Sequence, residues 1–280
     1  MTKKSISTID AWLRDATQQL ALEGIDTARL DAEIILAHTI NHPRTWLHAH
    51  MDEEIDLRHE EIAGARLDLR LDKVPIAYII GHKEFYGRRF GVNPHVLIPR
   101  PESEQLIELL DGTLKQQLLF PSSPTRLVDI GTGSGALGIT AKLEHPELDV
   151  TLVDNSKQAL VQAEKNAGAL QADVRTLESN LLANYPFSPD IVIANLPYVD
   201  ESWDRSEETR HEPPEALFAT DHGLRLIKRC FDELRSRMRP GGVAIFEADP
   251  RQWDDIDAYA KANGFAIGDK QGFAALFYKK

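Results

Sequence analysis

Over roughly the first seventy positions, apolar residues recur every three or four places. In "STIDAWLRDATQQLALEG" the side chains of Ile9, Leu13, Ala16 and Leu20 fall on one face, the spacing of an amphipathic helix. Ser7 followed by Asp10 has the form of a capping box, and Gly24 marks a stop. The same rhythm runs through "DTARLDAEIILAHTI" and "DEEIDLRHEEIAGARLDLRL". It predicts a small helical domain over residues 1–73 that carries no chemistry of its own. Its plainest role is to bind or orient a partner.

The pattern changes at residue 74. "PIAYIIGHKEFYGRRFGVNPHVLIPRPESE" places aromatic and β-branched residues around a Gly-Arg turn, which predicts a hairpin linker over 74–100. Pro101 suits the first turn of a helix in "ESEQLIELLDGTLKQQLL", and "PSSPT" (121–125) reads as a short linker. From Arg126 strands and helices alternate. The strand candidates are "RLVDI", "DVTLVD", "VRTLES", "DIVIAN" and "GGVAIFEAD", with helices at 136–144, 156–170, 223–239 and 250–263. Such alternation predicts an α/β domain over 101–280 with a doubly wound, mostly parallel sheet. "GFAIGDKQGFAALFYKK" adds an antiparallel hairpin on the sheet edge.

Composition narrows the classes. The 280 residues are 42% hydrophobic and 27% charged, as in a soluble globular protein. No apolar run reaches the ~20 residues of a membrane helix, and the amino end lacks the apolar stretch of a secretory signal. One cysteine excludes an internal disulfide and fits a cytoplasmic location. Cys230, in the helical "GLRLIKRCFDELRSRM", reads as a packed core thiol. The net charge of -12 argues against direct nucleic-acid binding. The ten histidines are scattered and give no metal-ligand spacing, so no metal is expected.

"LVDIGTGSGALGI" carries chemistry. Gly131, Gly133 and Gly135 let the chain turn tightly from a strand into a helix whose N-terminus offers free N–H groups. Asp154 ends the next strand, where an acidic side chain meets a ribose diol. Together they describe an adenosine-type cofactor site. Its ligand stays open at this point. Gly133, Gly135 and Gly138 spell the dinucleotide fingerprint, whereas Asp129, ahead of Gly131, would repel a pyrophosphate and suit an ammonium group, as in S-adenosylmethionine.

"DIVIANLPYVDESW" poses a second question, because a buried strand ends in an amide, a proline and an aromatic ring. As the fourth strand of the domain it lies beside the glycine-loop strand, so Asn195 emerges near the cofactor. Its side-chain oxygen and the Leu196 carbonyl can accept hydrogen bonds from an N–H2 group, and Tyr198 can lie against a flat substrate. Amide nitrogens are poor nucleophiles, so orientation and desolvation supply the rate and no strong base is needed. Glu247 and Asp249, ending the fifth strand, read as solvated. Arg100 and Glu102 read either as a surface pair or as a device ordering a lid.

Asn195-Leu196-Pro197-Tyr198 resembles the Asn-Pro-Pro-Tyr motif of methyltransferases acting on planar amino groups. "PIAYIIGHKEFYGRRFGVNPHVLIPRPESEQLIELL", "HEPPEALFATDHGLRLIKRC" and "GGVAIFEADPRQ" are similar to segments of the peptide-chain-release-factor glutamine methyltransferases (the PrmC/HemK group). The resemblance spans nearly the whole chain. It implies a class I S-adenosylmethionine-dependent methyltransferase fold with an amino-terminal helical domain. It also implies S-adenosyl-L-methionine as cofactor and, as substrate, the glutamine of the Gly-Gly-Gln motif in class 1 peptide chain release factors.

Carried over residue by residue, the resemblance assigns cofactor contacts to Asp129, Gly131, Thr132, Gly133, Ser134, Gly135, Asp154 and Asn155. Asn180 or Leu181 covers the adenine. The substrate clamp is Asn195, Leu196, Pro197 and Tyr198, with Asn195 also beside the cofactor. Two departures stand out: Leu196 replaces the clamp's first proline, and alanine stands in "DKQGFAALFYKK" where the family tends to have arginine.

Four other readings compete. Ribosomal-protein glutamine methyltransferases usually carry a Pro-Arg-Ser segment, which "IPRPESE" lacks. A DNA adenine amino-methyltransferase needs a basic groove for a flipped base. An NAD-dependent dehydrogenase needs a hydride-transfer partner that the sequence does not offer. A non-enzymatic scaffold, its clamp degenerate through Leu196, would bind the cofactor without turnover.

Overall fold

The computed structural model describes residues 7–115 and 124–280. They form two compact units. One ends at Gly81 and also takes in Ser206–His211, and the other comprises His82–Arg205 and Glu212–Lys280. Positions 116–123, with most of the "PSSPT" linker and the end of the helix expected to reach residue 119, lie outside the described residues.

The first unit holds α1 (Ile9–Leu22), α2 (Ala28–Ile40), α3 (Arg44–Ala49), α4 (Leu57–Leu71) and α5 (Ile76–Ile80). The face read from the sequence is the buried one: Ile9, Leu13, Ala16 and Leu20 pack with Ile35, Leu36, Ala63 and Leu67. The cap is Thr8 rather than Ser7. Thr8 holds the extended backbone just ahead of the helix, and its Oγ1 accepts the Ala11 N–H at 3.2 Å, while the Ser7 hydroxyl donates to Glu60. Arg70 is buried here, and a buried guanidinium needs partners. Its Nε donates to Asp31 at 2.7 Å and its Nη2 to Glu208 at 2.5 Å.

The second unit opens with a hairpin of β1 (His82–Phe85) and β2 (Arg88–Gly91). Its turn is Tyr86-Gly87, one residue earlier than the expected Gly-Arg pair. Both residues have left-handed φ (49° and 70°), which a two-residue turn matching strand twist demands, and the Tyr86 N–H donates to Glu104 at 2.7 Å. A short 3-10 turn, Pro101–Ser103, leads into α6 (Glu104–Lys115).

Then come β3 (Arg126–Ile130), α7 (Ala136–Glu144), β4 (Asp149–Asp154), α8 (Lys157–Leu170), β5 (Arg175–Glu178) and β6 (Ile191–Ala194). They are followed by α9 (Pro214–Leu217), α10 (Arg225–Arg237), β7 (Val243–Glu247), α11 (Trp253–Ala262), β8 (Phe265–Gln271) and β9 (Ala274–Lys279). The sheet order is β5-β4-β3-β6-β7-β9-β8. The first five strands run parallel, and β9 joins β7 and β8 antiparallel.

Alternation along the strands feeds two cores. Leu127, Ile191, Ile193 and Ile245 face one side of the sheet. Val128, Val192, Ala194 and Phe246 face the other, with Cys230 packed among them, where burial pushes its thiol pKa up. In β3, β6 and β7 the residues Ile130, Ala194 and Phe246 lie level. The glycine loop, Asn195 and Glu247 therefore leave the sheet at one edge, where open α/β sheets bind ligands.

Candidate active site

The glycine loop is closed by its own hydrogen bonds. Gly131, Gly133 and Gly135 have φ of 72°, 54° and 83°, a region side chains rarely adopt. The Gly131 and Thr132 N–H groups donate to the Val153 carbonyl, and that of Gly135 donates to the Thr132 carbonyl. The Gly133 N–H donates to Asp154 Oδ2 at 2.9 Å. A Cβ on Gly133 would meet nothing within 4 Å, whereas one on Gly135 would lie 2.6 Å from Ile139 Cδ1. Gly133 keeps the loop open, and Gly135 lets α7 pack.

Asp129 corrects one expectation. It is fully buried and does not line the cavity, because alternation sets it on the Leu127 face, under α7. Its Oδ2 accepts the Thr132 hydroxyl at 2.6 Å and the Gly138 N–H at 2.9 Å, so it holds the loop from below. Burial pushes its carboxyl up to about 6.

A cavity of about 140 Å³ lies over this loop. Its wall includes Gly131, Thr132, Gly133, Ser134, Asp154, Asn155, Asn180, Leu181, Asn195, Leu196 and Pro197. Of the predicted set, Asp129, Gly135 and Tyr198 stand behind the wall. Asp154 accepts backbone N–H groups from Gly133 and Ser156, and burial raises its pKa. Leu181 adopts φ 51° at the wall, an uncommon conformation for a leucine.

These residues fit S-adenosylmethionine better than a dinucleotide. A pyrophosphate needs free loop N–H groups, yet those of Gly131, Thr132, Gly133 and Gly135 are engaged. Asp154 on the wall and Asp129 beneath suit a cation. Among the described residues no three His, Cys, Asp or Glu side chains assemble as a metal would require.

His95 to Pro99 and Pro213 to Ala216 close another side of the cavity. They are tied by Arg100 and Glu212. The Glu212 carboxylate, 1% exposed, accepts from Arg100 and, at 3.1 Å, from the Ile98 N–H. Arg100 therefore pairs with a glutamate more than a hundred residues on, and not with Glu102.

The clamp rests on a buried network. Asn195 Nδ2 donates to Ser103 Oγ at 3.1 Å, and the Tyr198 hydroxyl donates to Glu247 Oε1 at 3.0 Å. Glu247 is 1% exposed rather than solvated, because β7 is an inner strand with Ala274 paired beside it. Asp249 does reach the surface, where it pairs with Arg251. Gln252 Nε2 donates to the Tyr198 and His222 carbonyls at 2.9 and 2.8 Å. Leu196 fills the space beside Gly131: its Cδ2 would lie 3.2 Å from a Cβ there.

Sequence reasoning missed Ser103, Glu212 and Gln252. The one available signal was that acidic and amide residues recur at segment ends, in "IPRPESE", "RHEPPEAL" and "EADPRQ".

Two family models match the chain, the PrmC N-terminal domain over residues 11–81 and the methyltransferase small domain over 107–212. The release factor glutamine methyltransferase of Bacillus anthracis is 36% identical over 233 residues, covering 80% of this chain and 81% of that protein. That of Coxiella burnetii is 32% identical over 94% of both chains. Among solved structures, a T. thermophilus 16S rRNA methyltransferase in complex with AdoMet and guanosine superposes with a TM-score of 0.52. It is 18% identical and covers 71% of this chain and 49% of that one, a likeness of fold.

Proposed function

The chain belongs to the release factor glutamine methyltransferase family, and on that premise we propose that it methylates the side-chain amide nitrogen of the glutamine in the Gly-Gly-Gln motif of class 1 release factors. The observation that carries the reading is Asn195 on the cavity wall with its Nδ2 bound to Ser103. The amide oxygen is then the end left for a substrate N–H2.

S-adenosylmethionine, when bound, supplies a methyl group on a cationic sulfur. Asp154 and Asn155 would hold its ribose, and Asn180 and Leu181 would cover its adenine. Gly131 to Ser134 form the floor, with Asp129 beneath. Asn195 Oδ1 and the Leu196 carbonyl would accept the two protons of the glutamine amide, holding its plane edge-on to them and its nitrogen toward the methyl. Fixing two reactants in this way supplies much of the rate, because a weak nucleophile gains most from orientation. As the nitrogen gains the methyl it loses one proton, which water at the cavity mouth can take.

The helical unit would recognise the whole release factor, while the second unit holds cofactor and glutamine. Release factors act in the cytoplasm, and the net charge of -12 favours a protein surface over a phosphate backbone as partner. Among the described residues no helix is long and apolar enough to cross a membrane.

The test is incubation with labelled S-adenosylmethionine and a purified class 1 release factor, followed by mass mapping. Label on the Gly-Gly-Gln glutamine is expected, with Asn195→Ala slower by on the order of 100-fold or more. Label on a ribosomal protein or an adenine oligonucleotide instead would overturn the reading.

A further inference from the structure

We propose that Glu247 is the positioning residue of the clamp: as a carboxylate beneath Asn195, it keeps the amide nitrogen turned inward and the amide oxygen turned toward the substrate. The proposal rests on the reading of Asn195 as the acceptor of the glutamine amide.

The register of the sheet brings the two residues together. Ala194 pairs with Phe246, so Asn195 and Glu247 follow side by side as β6 and β7 end. Oε1 of Glu247 accepts the Tyr198 hydroxyl at 3.0 Å. The Ser103 hydroxyl and the Asn195 amide both favour the ionised carboxylate. Ser103 also accepts from Asn195 Nδ2 at 3.1 Å. The Tyr198 hydroxyl is thus bonded to the acid directly, while the Asn195 amide is held by Ser103 beside it.

A carboxylate can only accept hydrogen bonds. Set against an amide that must choose which end to present, it selects the N–H2 end. A neutral amide in its place could meet Asn195 with either end, and the selection would be lost.

The acid is also out of place as packing. It is 1% exposed at the end of an all-buried strand, and its Oε2 has no partner at hydrogen-bonding geometry. An apolar residue would fill the site at lower cost. Burial pushes its carboxyl up to about 7, helped by the negative Glu102 from the 3-10 turn and opposed by Ser103, Tyr198 and Asn195. Asp249 also acts on Tyr198, whose pKa it raises. The device therefore titrates near neutrality. Below about pH 7 the acid is protonated and releases the amide, and above it the clamp is set.

The experiment measures kcat and KM for methyl transfer to a release factor across about pH 6 to 9. In the unaltered protein kcat should rise through about pH 7 and level off. Glu247→Gln, nearly isosteric, should lower kcat by on the order of 10-fold or more, abolish the rising limb, and leave cofactor affinity unchanged. Tyr198→Phe removes a donor that favours the ionised acid, so its limb should move to higher pH.

A Glu247→Gln protein with the original kcat and the original limb would overturn the proposal, as would a Tyr198→Phe limb that stays in place. Asn195→Ala measured in parallel separates the two ideas. If it transfers at full rate, the clamp reading itself fails. If it is slow while Glu247→Gln is fast, only the role of Glu247 falls.

Discussion

Asp154 Oδ2 accepts the backbone N–H of Gly133 at 2.9 Å, so the acid ending one strand holds the loop that leaves its neighbour. Its removal acts twice, taking away an acceptor on the cavity wall and freeing a loop with three left-handed residues. Asp154→Ala should weaken S-adenosylmethionine binding by about 1–3 kcal/mol, as when a buried donor loses its acceptor. Titration calorimetry reads this directly, and unchanged affinity would take Asp154 out of the site.

Gly223 has φ 82°, and a Cβ there would lie 1.9 Å from the Tyr198 carbonyl oxygen. That oxygen is backbone held by Gln252 and cannot swing aside. Gly223→Ala should therefore displace the clamp and cut transfer by on the order of 100-fold, with cofactor binding nearly intact. Full activity in this variant would show that the clamp tolerates movement.

Leu196→Pro restores the first proline of the related motif. The carbonyl survives and φ is pre-set, so transfer should hold or rise. Leu196 is also 3% exposed in the core and packs beside Gly131. The smaller ring leaves a gap there, and thermal unfolding should reveal a loss of about 1–2 kcal/mol. A variant that unfolds normally yet transfers far more slowly would mean that the leucine side chain itself shapes the substrate site.

Glu247 makes stability depend on pH with a definite sign. Its carboxyl is raised from 4.5 to about 7, so between those values the folded protein binds more protons than the unfolded one and stability falls as pH rises. The penalty is absent below about 4.5, complete above about 7, and on the order of 3 kcal/mol by linkage. Glu247→Gln removes it. Urea unfolding should find the variant close to the original protein at low pH and more stable at pH 8. Parallel curves for the two proteins would mean that the acid is not buried in solution.

The parallel sheet was legible because its strands are short apolar runs closed by Gly, Asp or Asn, and the helices between them keep one buried stripe. α7 falls on the residues the pattern assigned, Ala136–Glu144. α3 and α5 were not legible. At six and five residues they are too short to show a period.

The wall of the cavity was legible where one continuous segment builds it, as in Gly131 to Ser134 or Asn195 to Pro197. It was not legible where partners come from distant segments. Glu212 meets Arg100, and Ser103 meets Asn195, across separations that periodicity does not reach. Glu247 looked solvated because the sequence does not say that β9 returns to cover β7.

That return also governs how the chain is made. β9 lies between β7 and β8 although it follows both in sequence. During synthesis β7 therefore leaves the ribosome ahead of β9, and its outer edge stays without a partner until β9 has emerged. At ~5–20 residues per second the delay is on the order of a second or more, and an open edge is where strands of other chains add. A chain truncated ahead of Ala274, which leaves that edge of β7 without β9, should accordingly aggregate or hold chaperones where the full chain does not.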